Sequence, residues 1–127
     1  MAKILIVDDD EMLVSMYKTK FLAEGFEFET AIDGEEGLAK VAQNRPDLIL
    51  LDILMPKVNG LDMLKKLKED PEAKSIPVIL LTNVGDSTNA IQQGVELGVV
   101  AYLIKANYTP SEIVARVRQI LAEYPPK

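Results

Sequence analysis

Short apolar runs alternate along this chain with longer segments whose apolar residues recur at helical spacing. The runs KILIVD (3–8), FEFETA (26–31), DLILLD (47–52), PVILLT (77–82) and VAYLIK (100–105) have the length and the aliphatic or aromatic content of strands. Between them lie Leu13, Tyr17 and Phe21, then Leu38, Val41 and Ala42, then Leu61, Leu64 and Leu67. These intervals of three to four residues predict amphipathic helices, and Ile113, Val117, Ile120 and Leu121 mark a last one.

Boundary residues support the same division. Thr109-Pro110-Ser111-Glu112 reads as an N-cap, a proline at the first helical position and a capping-box glutamate, and Asp33-Gly34-Glu35-Glu36 repeats the box before the second helix. Gly25 and Gly98 follow helical segments, where a left-handed C-cap favours glycine.

Five strand–helix units imply a mostly parallel sheet, since parallel strands need crossover helices and buried strands read as continuous apolar runs. The run at 26–31 alternates Phe26 and Phe28 with Glu27 and Glu29, so it belongs at an edge. The expected fold is α/β, a flavodoxin-like (βα)5 doubly wound sheet of strand order 2-1-3-4-5, with residues 1–127 forming one domain.

Composition narrows the chemistry. With 127 residues the chain is long enough to bury a core without metal or disulfide staples. It has neither cysteine nor histidine, which removes thiolate chemistry, disulfides, imidazole bases and any phosphohistidine of its own. The apolar run at the start, Ile4 to Val7, is too short for a signal core or a membrane span, so a cytoplasmic location is expected. The net charge of −6 disfavours direct nucleic-acid binding and favours metal cations or basic partner surfaces, while also serving solubility.

The carboxyl ends of parallel strands lie along one edge of the sheet, where ligands bind. Here that edge gathers Asp8-Asp9, Asp52, Thr82 and Lys105. Two carboxylates ~4 Å apart repel by about 1 kcal/mol in water and about 4 kcal/mol at an effective dielectric of 20. Three of them demand positive charge. Lys105 supplies one unit, and a hard divalent ion such as Mg²⁺ suits the remainder.

The motifs IVDDD, LLDILMPKVNG, ILLTN and AYLIKA, each at a strand end and in this order, resemble the receiver domains of two-component response regulators, typified by the chemotaxis response regulator. The resemblance covers essentially the whole chain. It implies that Asp52 takes a phosphoryl group from the phosphohistidine of a sensor histidine kinase or a histidine phosphotransfer protein. It implies that Asp8, Asp9, Asp52 and the carbonyl of Leu54 hold Mg²⁺, directly or through water. Thr82 would hydrogen-bond the phosphoryl group, Lys105 would pair with it, and Tyr102 would turn inward on activation, altering the face made by helix 4, strand 5 and helix 5. Gly60 matches the glycine of the loop after strand 3. Leu54 and Val84 would flank the water that hydrolyses the acyl phosphate; both are apolar, so self-dephosphorylation should be slow. Output would pass to a downstream protein target or to an effector domain not included in the chain, and a monomer is expected.

Each residue taken singly has a plainer role. Asp8-Asp9-Asp10 can cap a helix, Asp52 a loop; Thr82 can be a strand residue, Tyr102 packing and Lys105 a solvated charge. Their convergence carries the functional reading. An FMN carrier would have its phosphate repelled by Asp8-Asp9-Asp10, and a haloacid-dehalogenase-type phosphatase needs an acid where Leu54 stands. The remaining competitor is a pseudo-receiver, a binding module of this fold that is not phosphorylated. Departures from the family pattern are Ala106 where proline usually follows the lysine, Asn83 where a small residue is common, and Asn59 for an aspartate. A trans bond is therefore expected between Lys105 and Ala106.

Overall fold

Three of the apolar runs are buried over nearly all of their length, which requires central positions in a sheet covered on both faces. The computed structural model describes residues 2–53, 60–83 and 88–124. In it these runs are β1 (Lys3–Val7), β3 (Leu48–Asp52) and β4 (Val78–Thr82), flanked by the edge strands β2 (Glu27–Ala31) and β5 (Ala101–Ile104). All four pairings are parallel, and the order is β2-β1-β3-β4-β5, as the alternation implies. The helices are α1 (Glu11–Ala23), α2 (Gly34–Gln43), α3 (Gly60–Glu69), α4 (Thr88–Glu96) and α5 (Pro110–Glu123).

Strand parity divides the core into two layers. Ile4, Ile6, Leu48, Leu50, Ile79, Leu81 and Leu103 face Tyr17 and Phe21 of α1 and Ile113, Val114, Val117 and Ile120 of α5. Leu5, Val7, Ile49, Leu51, Val78 and Leu80 face Val41 of α2 and Met63, Leu64 and Leu67 of α3. At the β2 edge, Glu29 pairs with Lys3 at 3.3 Å and Lys40 at 3.9 Å, placing charge where an unpaired strand would otherwise invite another chain.

The helix boundaries follow the side-chain chemistry. Asp10 caps α1 by accepting from the Leu13 amide, and Asp33 caps α2 by accepting from the Glu36 amide. At α5, Thr109 and Glu112 exchange side-chain and backbone hydrogen bonds as a complete capping box, with Pro110 opening the helix. Gly25 (φ 90°) and Gly98 (φ 95°) take the left-handed conformation after α1 and α4.

Local details depart from the sequence pattern. β5 stops at Ile104, and Lys105 opens a 3₁₀ turn, Lys105–Asn107, instead of ending the strand. Ala42 is exposed, and the α2 stripe rests on Val41 and the half-buried Leu38. Of the α4 residues whose side chains are described, only Gly94 is buried, and a β-carbon there would run into the Leu80 side chain. Ala90 and Ile91 are half-buried against the same layer.

At Gly60 the constraint is backbone against backbone. Its amide donates to the Ile53 carbonyl at 2.9 Å, closing the loop after β3, and a β-carbon would collide with the Asp52 carbonyl oxygen and the Ile53 Cα. Gly60→Ala is therefore expected to destabilise the protein by about 2 kcal/mol or more, read as a lower denaturant midpoint. An unchanged midpoint would mean that α3 can shift away from β3 at little cost.

Candidate functional site

Parity also decides which side chains meet at the carboxyl edge. Asp8 continues the Ile4, Ile6 face of β1, and its amide donates to the Ala31 carbonyl at 3.0 Å, which extends the β1–β2 ladder and fixes its direction. Asp52 continues the Leu48, Leu50 face of β3, and Lys105 comes two residues after Leu103, just past the end of β5. All three point to the α1/α5 side.

There they form one charged cluster. The Lys105 Nζ lies 2.7 Å from Asp8 Oδ2 and 3.4 Å from Asp52 Oδ1. Asp8 Oδ1 accepts from the Asp10 amide at 3.0 Å. Asp8 and Asp52 are each 2 % exposed, whereas Asp9 is open to solvent. Ligand oxygens of Asp8, Asp9 and Asp52 all lie within 4.8 Å of one another. The acidic run thus serves two purposes, with Asp10 capping α1 while Asp8 and Asp9 turn to the site.

Burial is the main force on Asp52, and with the Asp8 charge it outweighs the pull of Lys105. Its carboxyl is pushed up to about 7, with Asp9 adding a smaller push in the same direction. Burial alone would lower the Lys105 ammonium, but contact with Asp8 and then Asp52 more than offsets this, so its net shift is upward. The lysine remains a cation throughout the neutral range.

A hard cation fits this donor set. The ligand atoms are carboxylate oxygens, and Asp8 Oδ2 and Asp52 Oδ1 have no aligned hydrogen-bond partner, only the ion pairs to Lys105. The Leu54 carbonyl expected to assist, and the Leu54 and Val84 side chains expected to govern hydrolysis, lie outside the described residues.

Thr82 shares the edge but not the cluster. It belongs to the Val78, Leu80 face of β4, and its hydroxyl donates to the Leu103 carbonyl at 3.3 Å. Tyr102, on the same face of the sheet, pairs in register with Leu80 and is 49 % exposed, turned outward. No peptide bond among the described residues is cis, in line with the trans linkage expected at Ala106. A chemically relevant residue that pattern reading places only in the core is Tyr17, whose buried hydroxyl has no hydrogen-bond partner among the described residues. The available signal was a phenol standing where phenylalanine would fill the same space.

The Asp52 displacement fixes a pH dependence. A carboxyl raised from 3.8 to about 7 on folding contributes its full stabilisation below pH 4 and loses it as pH climbs through 7. The whole displacement corresponds to about 4 kcal/mol as an upper bound, since Mg²⁺ and salt reduce it. Without metal, Asp52→Asn should therefore melt close to wild type below pH 4 and progressively above it between pH 4 and 7, with added Mg²⁺ narrowing the gap. A melting-temperature difference that does not change with pH would show that Asp52 ionises as easily folded as unfolded.

A family model described as the response regulator receiver domain matches residues 4–118. The transcriptional regulatory protein CpxR of Klebsiella pneumoniae is 45% identical over 121 residues, covering 95% of this chain and 50% of that protein. The response regulator PleD of Caulobacter vibrioides is 41% identical over 119 residues, 94% of this chain and 26% of its own length. The chain thus spans half or less of these two relatives. Among solved structures, a response regulator described as putative from Chloroflexus aurantiacus has a TM-score of 0.86 at 36% identity, with 95% of this chain and 98% of the other covered. The chemotaxis response regulator CheY4 of Vibrio cholerae also has a TM-score of 0.86, at 31% identity, with 95% and 99% covered. With the strand order, the acidic edge and these matches in agreement, the chain belongs to the receiver domains of two-component response regulators.

Proposed function

We propose that Asp52 accepts a phosphoryl group, in a Mg²⁺-dependent transfer, from the phosphohistidine of a sensor histidine kinase or a histidine phosphotransfer protein. The observation that carries this reading is the placement of Asp52, a buried carboxylate at the end of β3 that shares the Lys105 ammonium with Asp8. An Asp52 carboxylate oxygen bonds to phosphorus as the P–N bond breaks, and the bonding pair leaves with the imidazole, giving an acyl phosphate. Catalysis of this kind is mostly positioning and charge stabilisation, so a site without histidine or cysteine suffices. Held by Asp8, Asp9 and Asp52, Mg²⁺ would neutralise charge on the phosphoryl oxygens. Lys105 exchanges part of its contact with Asp8 and Asp52 for a phosphoryl oxygen.

Thr82 supplies the signal. Its hydroxyl leaves the Leu103 carbonyl for the phosphoryl group, Tyr102 turns from solvent into the space beside β4, and the face made by α4, β5 and α5 changes. The phosphoryl group biases two pre-existing arrangements by its differential affinity for them. Residues 1–127 act as one receiver domain, cytoplasmic and monomeric, speaking to a protein target or an effector domain, with slow hydrolysis favoured by the apolar Leu54 and Val84. Among the described residues no helix is long and apolar enough to cross a membrane.

Incubation with Mg²⁺ and acetyl phosphate should add the mass of one phosphoryl group to the intact chain, and Asp52→Asn should take up none. A wild type that stays unlabelled would point to a pseudo-receiver, and a labelled Asp52→Asn would move the nucleophile elsewhere. With beryllofluoride as phosphoryl mimic, amide NMR shifts should extend from the site to Gly94, Tyr102 and Ile113. Changes confined to the Asp52 loop would refute the switch.

A further inference from the structure

Among the described residues, three buried side-chain oxygens lack a hydrogen-bond partner: Asp8 Oδ2, Asp52 Oδ1 and Tyr17 Oη. The first two face Lys105 within the site. The third belongs to α1, is 1 % exposed, and has no part in the chemistry described so far. An unsatisfied buried hydroxyl costs about 1–3 kcal/mol, and phenylalanine would fill the same space without that cost.

The position of Tyr17 gives the hydroxyl a use. Its ring packs in the layer containing Ile6, Leu50 and Leu103, each two residues before Asp8, Asp52 and Lys105. Residues i and i+2 of a strand share a face, so Tyr17 and the charged cluster lie on the same side of the sheet. The α1 helix starts at the site with its Asp10 cap, and long helical side chains lean toward the N-terminus, which directs the phenol back toward the carboxylates. Burial first, then the charges of Asp8 and Asp10, hold the phenol near 12, so it is a proton donor at all working pH values. Of those two acids, Asp10 is exposed and accepts from the Leu13 amide, whereas Asp8 is buried on the Tyr17 face with Oδ2 free of aligned donors.

We propose that Tyr17 is a positioning residue for Asp8: its hydroxyl donates through one internal water to the Asp8 carboxylate and holds it in place when Lys105 turns toward the phosphoryl group. The role in phosphorylation rests on the receiver reading above, but the Tyr17–Asp8 contact does not. Buried polar groups are almost always paired, and outer-layer donors of this kind orient metal-binding carboxylates.

A double-mutant cycle on the full chain tests it. Tyr17→Phe and Asp8→Asn, singly and combined, are melted without metal, and the same is done with Asp10→Asn as the control partner. Wild type and Tyr17→Phe are then titrated with Mg²⁺ by calorimetry. The proposal expects the melting shifts of Tyr17→Phe and Asp8→Asn not to add, those of Tyr17→Phe and Asp10→Asn to add, and Tyr17→Phe to weaken Mg²⁺ on the order of tenfold. Additive shifts with Asp8→Asn, coupling to Asp10 in its place, or unchanged Mg²⁺ affinity would each overturn it. The melts are read without phosphorylation, so non-additive melts support the Tyr17–Asp8 contact even if acetyl phosphate fails to label Asp52, and additive melts would sink the Tyr17 role even with Asp52 labelled.

Discussion

Everything at the carboxyl edge depends on keeping two carboxylates, Asp8 and Asp52, almost without solvent around a single ammonium. Burying an ionised carboxylate costs several kcal/mol unless it is compensated. The fold supplies compensation in two forms. Leu48, Ile49, Leu50 and Leu51 are fully buried immediately before Asp52, and at about 1.5–3 kcal/mol each they contribute roughly 6–12 kcal/mol on the same strand. Lys105 adds direct charge, 2.7 Å from Asp8 and 3.4 Å from Asp52. That compensation is incomplete, since Asp52 is still held up to about 7. On the proposed function, a cation or a group that neutralises Asp52 would relieve this residual electrostatic strain.

Strand parity separates this charged machinery from the parts that would report it. Asp8, Asp52 and Lys105 lie on the α1/α5 side, as does the buried Tyr17; Thr82 and Tyr102 lie on the α4 side. The two sides meet at the β4–β5 ladder, where Thr82 pairs in register with Ile104 and its hydroxyl holds the Leu103 carbonyl. Lys105 is two residues beyond that carbonyl, so a movement of Thr82 and a movement of Lys105 act on the same short stretch of chain. A longer β5 would stiffen this stretch. The strand instead ends at Ile104 and gives way to a 3₁₀ turn.

Strand existence, order and the acidic edge were legible because they depend on long buried runs and on the one-sided geometry of parallel sheets. Edge placement of β2 followed from the alternation of Phe26 and Phe28 with Glu27 and Glu29, and the helix caps from local side-chain chemistry at Asp33, Thr109 and Glu112. Three features were not legible. The 3₁₀ turn at Lys105 has no period to announce it. Thr82 reads as part of the edge, but its hydroxyl is committed across β5, a choice set by tertiary packing and not by spacing. Tyr17 fits the helical stripe as well as any apolar residue, so its pattern conceals a hydroxyl, and only its burial without a hydrogen-bond partner on the Asp8 side of the sheet makes that hydroxyl matter.

The α4 helix left the weakest trace in the sequence for the same reason that it suits an output element. Its one buried residue among those described, Gly94, has no side chain to contribute to an apolar stripe. Gly94 lets the helix settle against Leu80, and Leu80 pairs in register with Tyr102, so the seat of α4 and the residue proposed to turn inward share one strand neighbour. A helix held by half-buried Ala90 and Ile91 and a glycine contact forgoes most of the burial that anchors α3 through Met63, Leu64 and Leu67. Elements that move are drawn from the low-stability end of a fold. The rearrangement of Thr82 and Tyr102 proposed above would therefore work against little packing energy to shift α4, whereas the same rearrangement directed at α3 would meet the densest part of the core.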